Sequence, residues 1–339
     1  MTAPKVYLDQ SPGERRGVVF LDGRPERLLI ERDDDAPAPR AGEVWRGRVR
    51  TVSRGFRAAF VDLGQERDGL LGLSGAEPAL ADGASVEVEV IAEARLDKGP
   101  AVKFLRTGSG PPERVAPAPP LEARLAALAR GQVVATGAEA LEAADLAEEA
   151  ALATCHDIGS GVTLTIEKTR ALVAVDVDVG EARVNRHGLL NANLAAIRQT
   201  ARLVRLKRLG GVIVIDLAGA AREHAPLLDA ARTAFSEAGS IVAGVSRLGV
   251  LEIARPWREQ PITEILCDRD GRLSARSHAQ RLVRAMQREG AASPGARIVC
   301  TCAPDVAAVL DLLARDLGPR FSVAAELGRE RASADIRAL

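Results

Sequence analysis

The run Ala171-Leu-Val-Ala-Val-Asp176-Val-Asp178, followed by Gly210-Gly-Val-Ile-Val-Ile-Asp216, decides the fold of this chain. Each is a stretch of apolar, mostly β-branched residues that ends in an aspartate, the pattern of a strand buried on both faces. Asp176 and Asp216 lie forty residues apart, about a helix and two turns, as a crossover between strands requires. A carboxylate at the end of a buried strand must be paired, hydrogen-bonded or bound to a cation. Two such ends in one sheet make a hard oxygen site suited to a divalent ion, and so point to metal-assisted phosphate chemistry. Asp178 lies two residues beyond Asp176 and shares its face of an extended strand. The alternative, in which strand-end aspartates merely cap the following turn, stays open on spacing alone.

Working outward, the segment between the two aspartates carries the basic helix Leu189–Leu209. Arg198, Arg202, Arg205 and Arg208 recur every three or four residues and are expected on one phosphate-facing side. A solvated amphipathic helix is the plain alternative. After Asp216 the sequence predicts a helix near 221–237 and a strand pair around Ile241 and Val250–Ile253. A last unit over 273–330 reads helix, strand, helix, strand. Before Asp176, residues 121–154 are rich in Ala, Leu and Glu and read as helical. Asp22-Gly23 marks a hairpin within 17–30. Five short strands with glycine turns across 42–105 read as a small closed barrel. In that barrel, Ser85–Ile91 alternates glutamate with valine and is expected to be solvated on one side. Phe60 and Phe56 are candidate base-stacking residues, with Arg46, Arg48, Arg67 and Lys98 nearby, although barrel phenylalanines are more often core. The proline-rich stretch 107–120 reads as a linker.

Length and composition bound the rest. The 339 residues favour two or three domains, and 3% aromatics leave the core to Val, Leu, Ala and Ile. The formal net charge of zero argues against a globally basic polymer-binding protein but permits a local basic face. Four scattered cysteines make a disulfide framework improbable, and no apolar window reaches a membrane-spanning length. A cytoplasmic protein that does not enter the membrane is expected. The four histidines are scattered without metal-ligand spacing.

Taken together, these motifs resemble the ribonuclease E/G family. The resemblance is carried by Val44-Trp-Arg-Gly-Arg-Val49, by Arg57-Ala-Ala-Phe60 through Leu71, by Ile166 through Asp178, and by Asn193-Leu-Ala-Ala-Ile-Arg198. It continues through Leu206–Asp216 and Leu248-Gly-Val-Leu-Glu252-Ile-Ala-Arg255. The resemblance implies an α+β multidomain fold. An S1-like OB-fold barrel (41–106) would be inserted in a reduced ribonuclease H-like subdomain (1–40 and 121–165). A DNase I-like catalytic subdomain (166–262) and a small C-terminal α/β domain (263–339) would follow the 107–120 linker. It further implies a magnesium-dependent endoribonuclease acting on single-stranded RNA, such as messenger RNA and ribosomal RNA precursors, and leaving 5′-phosphate and 3′-hydroxyl ends. Asp176 and Asp216 would bind Mg2+, with Mn2+ as a substitute, and Asp178 would assist. Phe60, Lys98, Arg48, Arg67, Arg198, Arg205 and Arg255 would bind RNA.

Four departures from the family pattern matter. Asp178 stands where the family has a supporting asparagine, and Leu70 where it has a second stacking phenylalanine. The chain between barrel and catalytic domain has no room for a domain sensing a 5′ monophosphate. Cys267-Asp-Arg-Asp270 replaces a zinc-binding cysteine pair, so structural zinc is not expected and a homodimer would have to form without it. Asp178 and Leu70 favour the rival reading, a non-catalytic RNA-binding protein of the same fold. A third reading is a magnesium-dependent phosphatase or nuclease acting on DNA or small phosphates.

Overall fold

The computed structural model describes residues 3–35, 38–75, 79–96, 98–180, 186–219 and 224–339. The chain opens with β1 (Lys5–Ser11), β2 (Glu14–Leu21) and β3 (Arg24–Arg32), joined as antiparallel neighbours. Asp22 and Gly23, both at positive φ (50° and 73°), close the expected β2–β3 hairpin. The barrel follows as an insertion: β4 (Val44–Ser53), β5 (Ala58–Asp62), β6 (Gly69–Gly72), β7 (Ser85–Ala92), β8 (Ala101–Thr107) and β9 (Glu113–Ala116). Its sheet runs β5-β6-β8-β7-β4, and pairing of β4 with β5 closes the ring. Trp45, Val49, Ala59, Val61, Leu71, Val86, Val88 and Val102 fill the interior.

Two expectations change here. The stretch expected as a linker supplies β9, which pairs with β4 and adds a sixth strand. Its flanking prolines hide the short strand from a composition-based reading. Glu87, expected to be solvated, is buried because the guanidiniums of Arg46 and Arg106 close over it.

The chain then returns to the first sheet through α1 (Leu121–Ala129), β10 (Val134–Ala135) and α2 (Ala138–Leu152). The order β10-β1-β2-β3 is held between the two helices. Leu121, Leu125 and Ala129 of α1 pack on Val6, Leu8, Val19 and Leu29. The alanine face of α2 packs on Tyr7, Val18, Leu28 and Ile30, on the opposite side. Helices on both faces explain the runs of consecutive buried residues in β1 to β3.

Next come β11 (Cys155–Gly159), β12 (Val162–Lys168), β13 (Val173–Asp178), α3 (Arg186–Leu206) and β14 (Gly211–Asp216). They are followed by α4 (His224–Ala234), β15 (Ile241–Val245) and β16 (Val250–Arg255). The first residues of the helix expected from 221 lie outside the described residues. Six strands form one sheet, in the order β11-β12-β13-β14-β16-β15, and only β13 and β14 are parallel. The boundary expected at 165/166 falls inside β12. Leu190, Leu194, Ile197, Ala201 and Val204 recur every three or four residues along α3, which makes one apolar stripe. That stripe packs on Val173, Val175, Val177, Ile213 and Ile215. Burying each large aliphatic side chain contributes roughly 1.5–3 kcal/mol.

Among the described residues the sheet is therefore covered on one face only. Ala174, Asp176 and Asp178 of β13 point away from the helices, and Val212 on the same side of β14 is 48% exposed. This corrects the doubly buried reading of both runs. Apolar residues on the open side give the strands an apolar texture without a second covering layer.

The chain ends with α5 (Ile262–Leu266), α6 (Ala275–Ala292), β17 (Ile298–Cys302), α7 (Pro304–Ala314), β18 (Phe321–Ala325) and β19 (Ala334–Ala338). The sheet β18-β17-β19 carries α6 and α7, with Val283, Met286, Ile298, Cys300 and Leu310 at its centre. This unit is fastened to the first sheet by buried charge. Arg284 of α6 binds Glu14 at 2.7 Å and Glu148 at 3.3 Å. Arg16 on β2 binds Asp9, Asp145 and Glu148 at 2.7–2.9 Å, and Arg32 on β3 binds Glu14 at 2.7 Å.

Candidate functional site

Asp176, two residues before the end of β13, and Asp216, the last residue of β14, are direct register partners on the two parallel strands. In-register neighbours on adjacent strands lie about 4.8 Å apart and project to the same side. Both are exposed on the open face of the sheet, not enclosed as expected from sequence. Exposure removes the argument that burial obliges them to pair. What remains is juxtaposition: two carboxylates side by side that solvent and a polyanion can both reach. Asp178 lies one pair further along β13, opposite Thr163. Its Oδ1 accepts the backbone N–H of Gly180 at 2.8 Å, an Asx turn that ends the strand.

Asn193 on α3 does work that sequence reading did not assign to it. It is 2% exposed, its Nδ2 donates to the Ala218 carbonyl at 3.0 Å, and its Oδ1 accepts the Ala218 N–H at 2.9 Å. The pair of bonds fixes the chain two residues beyond Asp216. A polar residue at a position of the helix facing the core was the available signal.

The arginine helix differs from its expected face. Arg205 pairs with Glu26 and donates to the Ala234 carbonyl at 2.9 Å. Arg208 donates twice to the Leu28 carbonyl, at 2.8 and 3.1 Å, and Arg202 donates to the Pro25 carbonyl at 2.7 Å. Arg255 binds Glu237 at 2.6 Å and the Leu209 carbonyl. Four arginines expected among free phosphate-facing groups are thus engaged within the fold, three of them against β3. Arg198 alone of the helix set is exposed without an ion pair among the described residues.

On the barrel, Phe60 is 41% exposed and faces Leu70, 44% exposed, across the β5–β6 pair. Arg48 projects to the same outer surface of β4, opposite Asp62. Phe56 is 85% exposed in the β4–β5 turn, and Arg67 is half-buried before β6. Lys98 is exposed in the β7–β8 turn. That turn docks on the larger sheet unit: the Leu96 N–H donates to Glu264 at 2.9 Å, and the Glu93 N–H to the Arg258 carbonyl at 2.8 Å. The barrel surface and the two aspartates therefore sit on bodies joined at one seam.

Among the described residues, no three His, Cys, Asp or Glu side chains gather into a metal cluster. A divalent ion at Asp176 and Asp216 would have two protein carboxylates and complete its shell with water and substrate oxygens. That arrangement fits magnesium, which keeps several waters and needs only one or two carboxylates. Cys267 is half-buried, and its neighbours Asp268 and Asp270 bind Arg331 and Arg272.

Residues 132–258, which contain both aspartate strands, match the model of the Ribonuclease E/G family. Through this stretch the chain is similar to the ribonuclease E/G family. Over 119 residues it is 31% identical to ribonuclease G of Escherichia coli K12, covering 33% of this chain and 24% of that protein. Over 133 residues it is 33% identical to the chloroplastic ribonuclease E/G-like protein of Arabidopsis thaliana, covering 35% of this chain and 13% of that protein. Ribonuclease E of a Nostoc species is 30% identical over 133 residues, covering 37% of this chain and 19% of that protein. The shared stretch thus spans a quarter or less of these family members' own length. No helix among the described residues is long and apolar enough to cross a membrane.

Proposed function

We propose that this chain is an endoribonuclease that hydrolyses single-stranded RNA, leaving 5′-phosphate and 3′-hydroxyl ends, with messenger RNA and ribosomal RNA precursors as substrates. The observation that carries the reading is the register pairing of Asp176 with Asp216 on an open sheet face. The names of its family relatives support it. Asp176 and Asp216 would hold Mg2+, or Mn2+ in its place, which supplies positive charge to a phosphate oxygen and lowers the pKa of a bound water. The chain's own residues position the strand. Phe60 offers a stacking platform, while Lys98, Arg48 and Arg198 offer cations to the backbone, contacts that hold a strand without reading its sequence. Asn193 keeps the chain beyond Asp216 in place, and Asp178 shapes the turn beside it. The finer resemblances of the barrel to an S1-like OB fold, and of the flanking units to ribonuclease H and DNase I, belong to this same reading.

Asp216→Asn tests it. Cleavage of a labelled single-stranded RNA in Mg2+ should fall at least 100-fold, which corresponds to about 2.7 kcal/mol of barrier, with RNA affinity within a few-fold of the parent. Wild-type cleavage by the variant refutes the site. A second reading, RNA binding without cleavage, is favoured by Asp178 engaged in its turn and by Leu70 at the second stacking position. It predicts binding with no Mg2+-dependent cleavage by the parent protein.

A further inference from the structure

The seam between barrel and sheet encloses a cavity of about 160 Å3 lined by Arg95, Lys98, Lys168, Arg170, Leu172 and Trp257, among others. Four of these are cations, in a chain with no net charge. Lys168 is paired with Glu264, which also receives the Leu96 N–H and so braces the turn without lining the cavity. Lys98 and Arg170 are exposed and have no ion pair among the described residues. The Arg95 guanidinium lies 4.4 Å from the centroid of the Trp257 ring. Trp257 is one of only two tryptophans, and the other, Trp45, is buried in the barrel.

Gly210 and Gly211 make room for that indole. A Cβ added to either would come within 3.0 Å of Trp257, and Gly211 has a φ of +84°. The glycine pair that precedes the Asp216 strand thus seats an aromatic plane at the mouth of a basic cavity.

Its position connects two surfaces already described. Leu172 lies in the turn just before β13, four residues ahead of Asp176, at most about 13 Å of chain. On the other side, Lys98 leads into Pro100, whose carbonyl accepts the Leu70 N–H at 2.8 Å, and Leu70 is the partner of Phe60. Cations hold phosphates, and planar guanidinium and indole groups stack on bases, so the lining matches one nucleotide unit of an unpaired strand.

We propose that this cavity is a nucleotide subsite for single-stranded RNA, with a phosphate held by Arg170 and Lys98 and a base lying against the Arg95–Trp257 pair. It rests on the reading of the chain as one that acts on RNA, and to Lys98, which that reading uses, it adds Arg170, Arg95 and Trp257, which it does not.

The test uses the full chain with a short fluorescein-labelled RNA, in chelator so that the strand stays intact. Anisotropy reports binding, and tryptophan emission reports the cavity. The parent should show a saturable emission change with the same midpoint as the anisotropy. Trp257→Phe should abolish the emission change while keeping affinity within a few-fold. Arg170→Ala should weaken binding about 10-fold and lower the salt slope by about one, and Arg170→Lys should restore the slope. Arg170 makes no ion pair among the described residues, so its loss leaves the fold intact, which circular dichroism would verify. Binding by anisotropy with static emission and an unchanged Arg170→Ala affinity overturns the subsite but leaves the RNA reading standing. A mononucleotide that binds as tightly as the strand overturns the strand assignment. No binding of RNA at all overturns both readings.

Discussion

Replacing Arg16 by methionine removes the cation on which three carboxylates converge at the centre of the first sheet. Arg16 is fully buried and binds Asp9 at 2.7 Å and Asp145 and Glu148 at 2.9 Å each. Removing one partner of a buried ion pair costs about 3–5 kcal/mol, because the other charge is left uncompensated. The structure orders that range. Without Arg16, Asp145 keeps Arg284 and Arg288, and Glu148 keeps Arg281 and Arg284. Asp9, 5% exposed, keeps among the described residues only a 3.4 Å bond from the Ser11 hydroxyl. Without Arg284, by contrast, Glu14 keeps Arg32 at 2.7 Å and Glu148 keeps Arg16 and Arg281. Arg16→Met is therefore expected near 5 kcal/mol and Arg284→Met near 3 kcal/mol. Urea unfolding followed by circular dichroism at pH 7 measures both. With a slope of about 3 kcal/mol per molar, the midpoints fall by more than 1 M and by about 1 M.

The pH dependence carries a second check. Burial would raise Glu148, but Arg284, Arg16 and Arg281 outweigh it and hold that carboxyl below its ordinary value, and Asp145 behaves alike. A lowered carboxylate contributes stability above its unfolded pKa and loses it as pH falls through the folded value. The gap between parent and Arg16→Met should stay constant above about pH 5 and narrow below about pH 4. A midpoint loss under about 0.3 M for Arg16→Met, or a larger loss for Arg284→Met, would refute the reasoning.

Two further outcomes are expected. His156 is held down to about 4 by burial and by the nearby Lys207 and Arg202, so the fold resists a proton that the unfolded chain accepts from its ordinary 6.5. Stability should decline as pH falls from 6.5 toward 4, and His156→Gln should flatten that stretch of the curve, as read from thermal melts across the range. Asn193→Ala removes both side-chain partners of the half-buried Ala218 N–H and carbonyl, at about 1 kcal/mol for each bond. In RNA assays it should lower kcat more than it raises KM, and an equal fall in affinity would count against a positioning role.

The strands of the barrel ring, the β2–β3 hairpin and the aspartate strands were legible because β-branched runs broken by glycine are short-range signals, whereas β1, β9, β10, β11 and β19 were not read. Arg202, Arg205 and Arg208 misled for the opposite reason. Their spacing is that of a solvent face, but their partners Pro25, Glu26 and Leu28 lie some 180 residues earlier in the chain. The buried charges around Arg16 were hidden in the same way, since Asp9 comes from β1 and Asp145 and Glu148 from α2, about 130 residues on from Arg16. The aspartate pair was legible in position but not in surroundings: alternation of Val with Ala and Asp does not reveal that one sheet face carries no covering layer. Trp257 and the glycines beneath it were visible as letters, yet only three-dimensional approach gives them a shared purpose.

The barrel's place in the chain also sets a schedule for synthesis. β10 pairs parallel with β1, Val134 beside Val6, so the outer edge of the first sheet waits until everything between has left the ribosome. At about 5–20 residues per second, that edge stays open for roughly 6–26 seconds. The barrel, closed on its own interior, can fold meanwhile, while the unpaired rim of β1 presents an adhesive surface to other nascent chains.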